Sequence, residues 1–455
     1  KANTNTDNLA IGTDAGATAQ GINTVAVGVG AGRTSQGTST VAVGDNAGLT
    51  VQGNYSVAVG VYAGLTSQGA NATAIGRQAG QSAQGTLTTA VGYAAGNSNQ
   101  GTHCVAVGQE AGKSNQGAFS TALGSSAGST SQGATAVAVG RLAGLSNQGT
   151  NTTAVGREAG KTSQNYNSVA VGWAAGKSNQ GFNSVAIGVN AGQTSQGNAS
   201  VAMGVGAGTT VQAGNAIAVG NNAGLTSQGA NAVAMGVTAG RTAQGGSATA
   251  VGHDSGMSNQ GAGGTAVGLS SGYNSQGTQA VAVGHAAGYA EQGNNATAVG
   301  YQAGQTSQKA NATAVGYLAG NSEQGTLSIA VGAYAGQTSQ GTSATAMGDA
   351  AGYSVQGNNA VAVGVLAGKT SQGASATAVG RAAGESAQGV YSVAVGQTAG
   401  KTNQGGYATA IGLNAGSVSQ GIFATALGSE AGKTNQEALA VAIGRDSGTT
   451  SQGCH

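Results

Sequence analysis

After Asn167 the chain alternates small and aliphatic residues from Ser168 to Gly172, and the rest of the unit is small or polar apart from Trp173 and Phe182. The stretch NSVAVGWAAGKSNQGF, residues 167 to 182, is followed at once by NSVAIGVNAGQTSQGN. With Asn167 as position 1 and Phe182 as position 16, the position-6 glycine recurs at Gly12, Gly28, Gly44 and on to Gly444, giving 28 units without an insertion. Position 4 is Ala in every unit, as at Ala10 and Ala170, and position 10 is Gly, as at Gly16 and Gly176. Position 14 is Gln throughout, as at Gln20, Gln36, Gln180 and Gln452. Position 5 is always Val, Ile, Leu or Met.

A unit this short and this constant in length can bury a face only against its neighbours, so it reads as one coil of a solenoid. The period-2 pattern and β-branched content of positions 2 to 6 predict a strand, whereas a helix would need a 3.6 period and far less Gly. Positions 10 to 14 (GxTxQ) predict a second strand, with Gly172 and Gly176 at positions 6 and 10, and the frequent Gly at position 15, supplying turns. The expected fold is an all-β parallel roll: residues 1–7 a partial first coil, 8–453 a continuous β-solenoid and 454–455 the end of the fragment. Stacked at about 4.8 Å per coil, it would extend roughly 130 Å. Only positions 3 and 5 offer sizeable apolar side chains, which is little burial against the cost of ordering sixteen residues. This predicts an oligomer, with the aliphatic positions 3 and 5 inside the roll and the Ala face against a neighbouring chain. The reverse placement stays open, because position 3 is Thr in 12 coils.

Composition removes other classes. Gly supplies 87 of the 455 residues, but without a three-residue period or any Pro, so collagen is excluded. A formal net charge of +2 with no basic run leaves no footprint for nucleic acid. No apolar stretch reaches the roughly 18 residues of a membrane span. The chain opens KANTNTDN without a signal-like segment, so an export signal or anchor is expected to be encoded elsewhere.

The string NSVAIG at residues 183 to 188, with NSVAVG at 167 to 172 and SVAVG at 56 to 60 and 392 to 396, resembles the YadA-like head repeat of trimeric autotransporter adhesins. The resemblance recurs along essentially the whole chain. It implies a left-handed parallel β-roll that trimerises side by side, projects from a cell surface and binds host surface proteins or glycans. The uniform 16-residue period, the Ala-Gly at positions 9 and 10 and the invariant Gln depart from the family pattern of repeats nearer 14 residues. A virus or phage fibre shaft and a self-assembling extracellular filament therefore stand beside the adhesin reading.

Several columns carry candidate roles. The Gln column predicts an amide ladder or a cap for turn backbone, and its recurrence in every coil argues for a structural part. The Thr or Ser column at position 12 raises an ice-binding array, weakened because positions 11 and 13 vary. Positions 7, 8 and 11 hold 22 of the 28 charged residues and read as the solvent edge. There Arg141, Arg157 and Trp173 occupy position 7 of consecutive coils, with Lys161 and Lys177 at position 11, a basic patch suited to an acidic glycan or protein if it is more than a solvated edge. Aromatic residues also align: Tyr391, Tyr407 and Phe423 at position 1, Tyr301 and Tyr317 at position 7, Tyr273 and Tyr289 at position 11. These predict stacking reinforcement ahead of a carbohydrate platform.

No catalytic or metal constellation appears, so the expectation is a non-enzyme without cofactors. His103, His253, His285 and His455 are scattered, and the His253–Asp254 pair is expected to diverge. Cys104 takes small position 2, far from Cys454, which excludes an intrachain disulfide between them and leaves an interchain bond through Cys454 open. Sequons at Asn54, Asn71, Asn151, Asn198, Asn295 and Asn311 are common enough to arise by composition alone. Together these readings predict an extracellular, cell-surface or virion-surface fibre segment acting as a spacer or multivalent surface.

Overall fold

The computed structural model describes residues 7–453. It is all-β, a parallel β-solenoid in which each 16-residue unit forms one coil. The chain divides into two compact units at the coil boundary between Ala230 and Asn231, each holding 14 coils. In the first unit the leading strands of successive coils, from Leu9–Ile11 to Ile217–Val219, pair in parallel without slippage; Val169 lies beside Val185, Ala170 beside Ala186 and Val171 beside Ile187. The second unit repeats this from Val233–Met235 to Val441–Ile443, with Thr297 beside Thr313.

Each strand is shorter than the pattern predicts, spanning positions 3–5 and 12–14, as in Val169–Val171 and Ser178–Gln180. The reason lies in the backbone. Gly172 at position 6 has φ 129° and Gly176 at position 10 has φ 51°, both in regions that end a strand. Gly at position 15 acts differently, without positive φ. A Cβ on Gly181 would lie 2.6 Å from the Gly197 carbonyl carbon, so this glycine permits close stacking of coils.

Positions 1, 8 and 13 are also left-handed although they are rarely Gly, as at Asn183, Ala174 and Asn179, each with φ 54°. At position 13 the residue sits inside the second strand, so that strand pairs only at positions 12 and 14. Val there has two outcomes. At Val51 and Val211 the strand dissolves and only bridges at Gln52 and Gln212 remain. At Val355 the strand Ser354–Gln356 survives with Val355 held at φ 52°, a costly conformation for a β-branched residue.

The packing reverses the expected faces. Ala170 at position 4, Ala175 at position 9, Ser168 at position 2 and Gln180 at position 14 have no exposed surface, and the same four columns line the interior of both units. Val169 and Val171 face outward and are half-buried; larger residues there are more exposed, as with Met235 at 44% and Leu427 at 42%. The aliphatic face is therefore outside the roll and the Ala face inside it. The cause is width: the interior already holds a glutamine from the opposite strand in every coil. A Cβ on Gly176 would stand 2.6 Å from Gln180 Oε1 and 3.2 Å from Ala170 Cβ, leaving no room for Val at position 4.

Candidate functional site

The glutamine column forms the predicted ladder over part of its length, and its contact within its own coil is with strand backbone in place of the turn backbone expected. From Gln36 onward each amide reaches across the interior of its own coil to the position-3 carbonyl: Gln180 Nε2 donates to Val169 O at 2.7 Å and Gln372 Nε2 to Val361 O at 2.8 Å. Between coils the amides also join in a ladder. In the second unit it runs from Gln244 through Gln260, Gln276, Gln292 and Gln308 to Gln324, each Nε2 donating to the next Oε1 at 3.0–3.1 Å. It resumes from Gln340 to Gln436. The first unit shows separate links, such as Gln100 to Gln116, and several buried Oε1 atoms, including that of Gln180, have no hydrogen-bond partner among the described residues. A column of this kind fixes register and can do no local chemistry.

The position-12 threonine hydroxyls are committed to the stack. Thr34, Thr66 and Thr130 donate to the position-11 carbonyl of the next coil at 3.1–3.3 Å, so these donors are turned into the protein instead of toward water.

The aromatic columns stack face to face. Tyr391–Tyr407 and Tyr407–Phe423 have centroids 5.1 and 4.8 Å apart, Tyr273–Tyr289 4.8 Å and Tyr301–Tyr317 5.2 Å. Their ring faces cover one another and present edges outward, a geometry for reinforcement; a sugar could lie only on a face at the end of a column. Three stacked pairs were missed although the 16-residue spacing reveals them: His103–Phe119, Tyr166–Phe182 and His285–Tyr301. Tyr334 meets Tyr317 edge-on at 77° and lies beside Tyr353, a continuation that changes column and leaves no periodic signal. Loss of solvent around the Tyr334 phenol, with Tyr317 beside it, raises its pKa.

The basic residues of coils 9 to 11 do come together. Glu158 draws Lys177 Nζ to 2.9 Å and Lys161 Nζ and Arg157 Nη2 to 3.8 Å, and its own side chain is only 14% exposed. The Lys177 hydrogen bond, with the charges of Lys161, Lys177 and Arg157, holds the Glu158 carboxyl below its ordinary pKa against the opposing effect of burial. Arg141 and Trp173 flank this group on the same exposed file.

His253 and Asp254 do not diverge. The left-handed φ of 56° at Asp254 turns its carboxylate back to His253 Nδ1, 3.0 Å away, and Thr238 also bonds it. Cys104 is fully buried, its thiol donating to Gly117 O at 2.9 Å. Cys454 and His455 lie outside the described residues. At the Asn54 and Asn198 sequons the hydroxyls of Ser56 and Ser200 are buried against Gly53 O and Gly197 O. Among the described residues no group of three His, Cys, Asp or Glu side chains is placed to hold a metal ion.

Uniform coils stacked in register around an Ala- and Gln-lined interior define the class, a tandem-repeat parallel β-solenoid. No protein-family model and no curated protein matches the chain.

Proposed function

We propose that the protein is a structural and adhesive segment of an extracellular fibre, a spacer and multivalent surface whose chains associate with one another through the aliphatic face. One observation carries this reading. Positions 3 and 5 point outward in both units, yet in all 28 coils they hold only Val, Ile, Leu, Met or Thr and never a charge. An apolar face of this extent on a soluble surface is a mark of an interaction site. The resemblance to adhesin heads favours three chains side by side, with the aliphatic face, in place of the Ala face, at their contact.

Light scattering coupled to size exclusion tests it. A discrete mass of three chains supports the trimer, and a mass that grows without limit supports the filament. A single-chain mass at all accessible concentrations overturns self-association.

A further inference from the structure

Charge is rare along this chain, and in the first unit it is gathered unevenly. No charged residue stands between Lys113 and Arg141, and none between Lys177 and Arg241. Between those two neutral stretches lie four cations, Arg141, Arg157, Lys161 and Lys177, with a single carboxylate, Glu158. The stack sets them in order. Glu158 N donates to Arg141 O at 3.0 Å and Ala174 N to Arg157 O at 2.9 Å, so the position-7 side chains Arg141, Arg157 and Trp173 form one file at the strand repeat of about 4.8 Å.

Glu158 holds Arg157, Lys161 and Lys177 around one partly buried carboxylate. It neutralises one of the three and restrains the others, which lowers the ordering cost of receiving an anion. Among the described residues the exposed Arg141 has no ion-pair partner, and no aromatic ring covers the face of Trp173, which is 50% exposed beside Arg157. A linear row of cations ending in an open indole face matches a polymer whose repeating unit has both an anionic group and an apolar C–H face.

We propose that Arg141, Arg157, Lys161, Trp173 and Lys177 form a binding site for an acidic polysaccharide of the uronate class. The arginines and lysines pair with successive carboxylates, and the indole packs on a sugar ring. This site uses position-7 and position-11 side chains and none of those at positions 3 and 5, so the proposal does not require self-association through the aliphatic face.

Titration calorimetry with a galacturonate hexamer, its methyl-esterified neutral form and a glutamate hexamer tests the assignment. The galacturonate hexamer binds with an affinity that falls as salt is raised, and the neutral form does not bind. The double variant Arg141→Gln/Arg157→Gln loses about 10-fold to 100-fold in affinity, one charge-assisted contact per arginine. Trp173→Ala loses about threefold to tenfold for the sugar and nothing for the peptide. Unchanged molar mass and circular dichroism in these exposed-site variants separate loss of the site from loss of fold or assembly. Galacturonate binding that survives the double arginine variant overturns the site. A glutamate hexamer that binds as tightly as galacturonate, with Trp173→Ala without effect, overturns the sugar assignment in favour of an acidic peptide.

Discussion

Replacing one interior glutamine by methionine, a linear side chain of similar length without hydrogen-bonding groups, gives opposite results in different coils. Gln372 is embedded in the ladder. Its Nε2 donates to Val361 O at 2.8 Å and Gln388 Oε1 at 3.0 Å, and its Oε1 accepts from Gln356 Nε2 at 3.0 Å. Gln372→Met removes these bonds at about 1 kcal/mol each and leaves the buried Gln388 Oε1 without its donor, a further 1–3 kcal/mol at roughly the usual cost; the gain from burying methionine returns about 1 kcal/mol. The expected loss is about 3–5 kcal/mol. Gln180 makes one such bond, to Val169 O, and its buried Oε1 has no partner. Gln180→Met loses about 1 kcal/mol and removes an unsatisfied acceptor that costs about as much or more, so it is neutral to mildly stabilising.

A solenoid unfolds by local segments, so the assay is native-state hydrogen exchange at amides that bridge coils. Val361 N and Thr377 N report on Gln372, and Val169 N and Val185 N on Gln180; all four donate to the next coil at 2.9 Å. Faster exchange at the first pair of amides in Gln372→Met, with unchanged or slower exchange at the second pair in Gln180→Met, is the predicted result. Equal destabilisation by the two substitutions would refute the ladder as the source of the difference.

Local geometry sets three other outcomes. Gly172→Ala combines φ 129° with a Cβ 2.6 Å from Gly188 O, so local stability around coil 11 falls by at least about 2 kcal/mol, measured by the same exchange experiment. Val355→Asn relieves the left-handed β-branched residue and raises local stability by about 1 kcal/mol, read as slower exchange in the adjoining coils. Glu158 has a folded-state pKa below its ordinary 4.5, so its contribution to stability is present above that value and is lost as pH falls through the depressed one. An NMR titration of the Glu158 carboxyl should move upward in Lys177→Met, and an unmoved midpoint would contradict the ion-pair account.

Much of this architecture is written in the period. The unbroken 16-residue recurrence of Gly172-type and Gln180-type positions reveals the coil, the two strands and the glutamine column. The choice of inner face was less legible, because either side of an alternating strand can be buried. Invariance was the usable signal: Ala170 and its equivalents never vary because the interior has a fixed width, while Val, Thr, Ile, Leu and Met interchange outside. Ranking faces by apolar size pointed the other way. The left-handed backbone was only partly signalled: Asn recurs at positions 1 and 13, as at Asn183 and Asn179, but residues as unlike as Tyr62, Leu142 and Glu158 share position 8, where no Gly or Asn column marks it. The Glu158 cluster was half visible: its cations shared two columns, but the carboxylate that gathers them stood in a third.

Maleimide labelling of single cysteines, in a background of Cys104→Ser and Cys454→Ser, tests the outward aliphatic face and its burial between chains most directly. Ser125→Cys, at an exposed edge position, should react at the rate of a free thiol, and Ala170→Cys, inside the roll, should be protected at every concentration. Val171→Cys should be protected in the assembled protein and reactive once dilution separates the chains. Protection of Val171→Cys in a single chain would place that face inside the roll, and free reactivity at every concentration would leave no partner on it; either result contradicts the account.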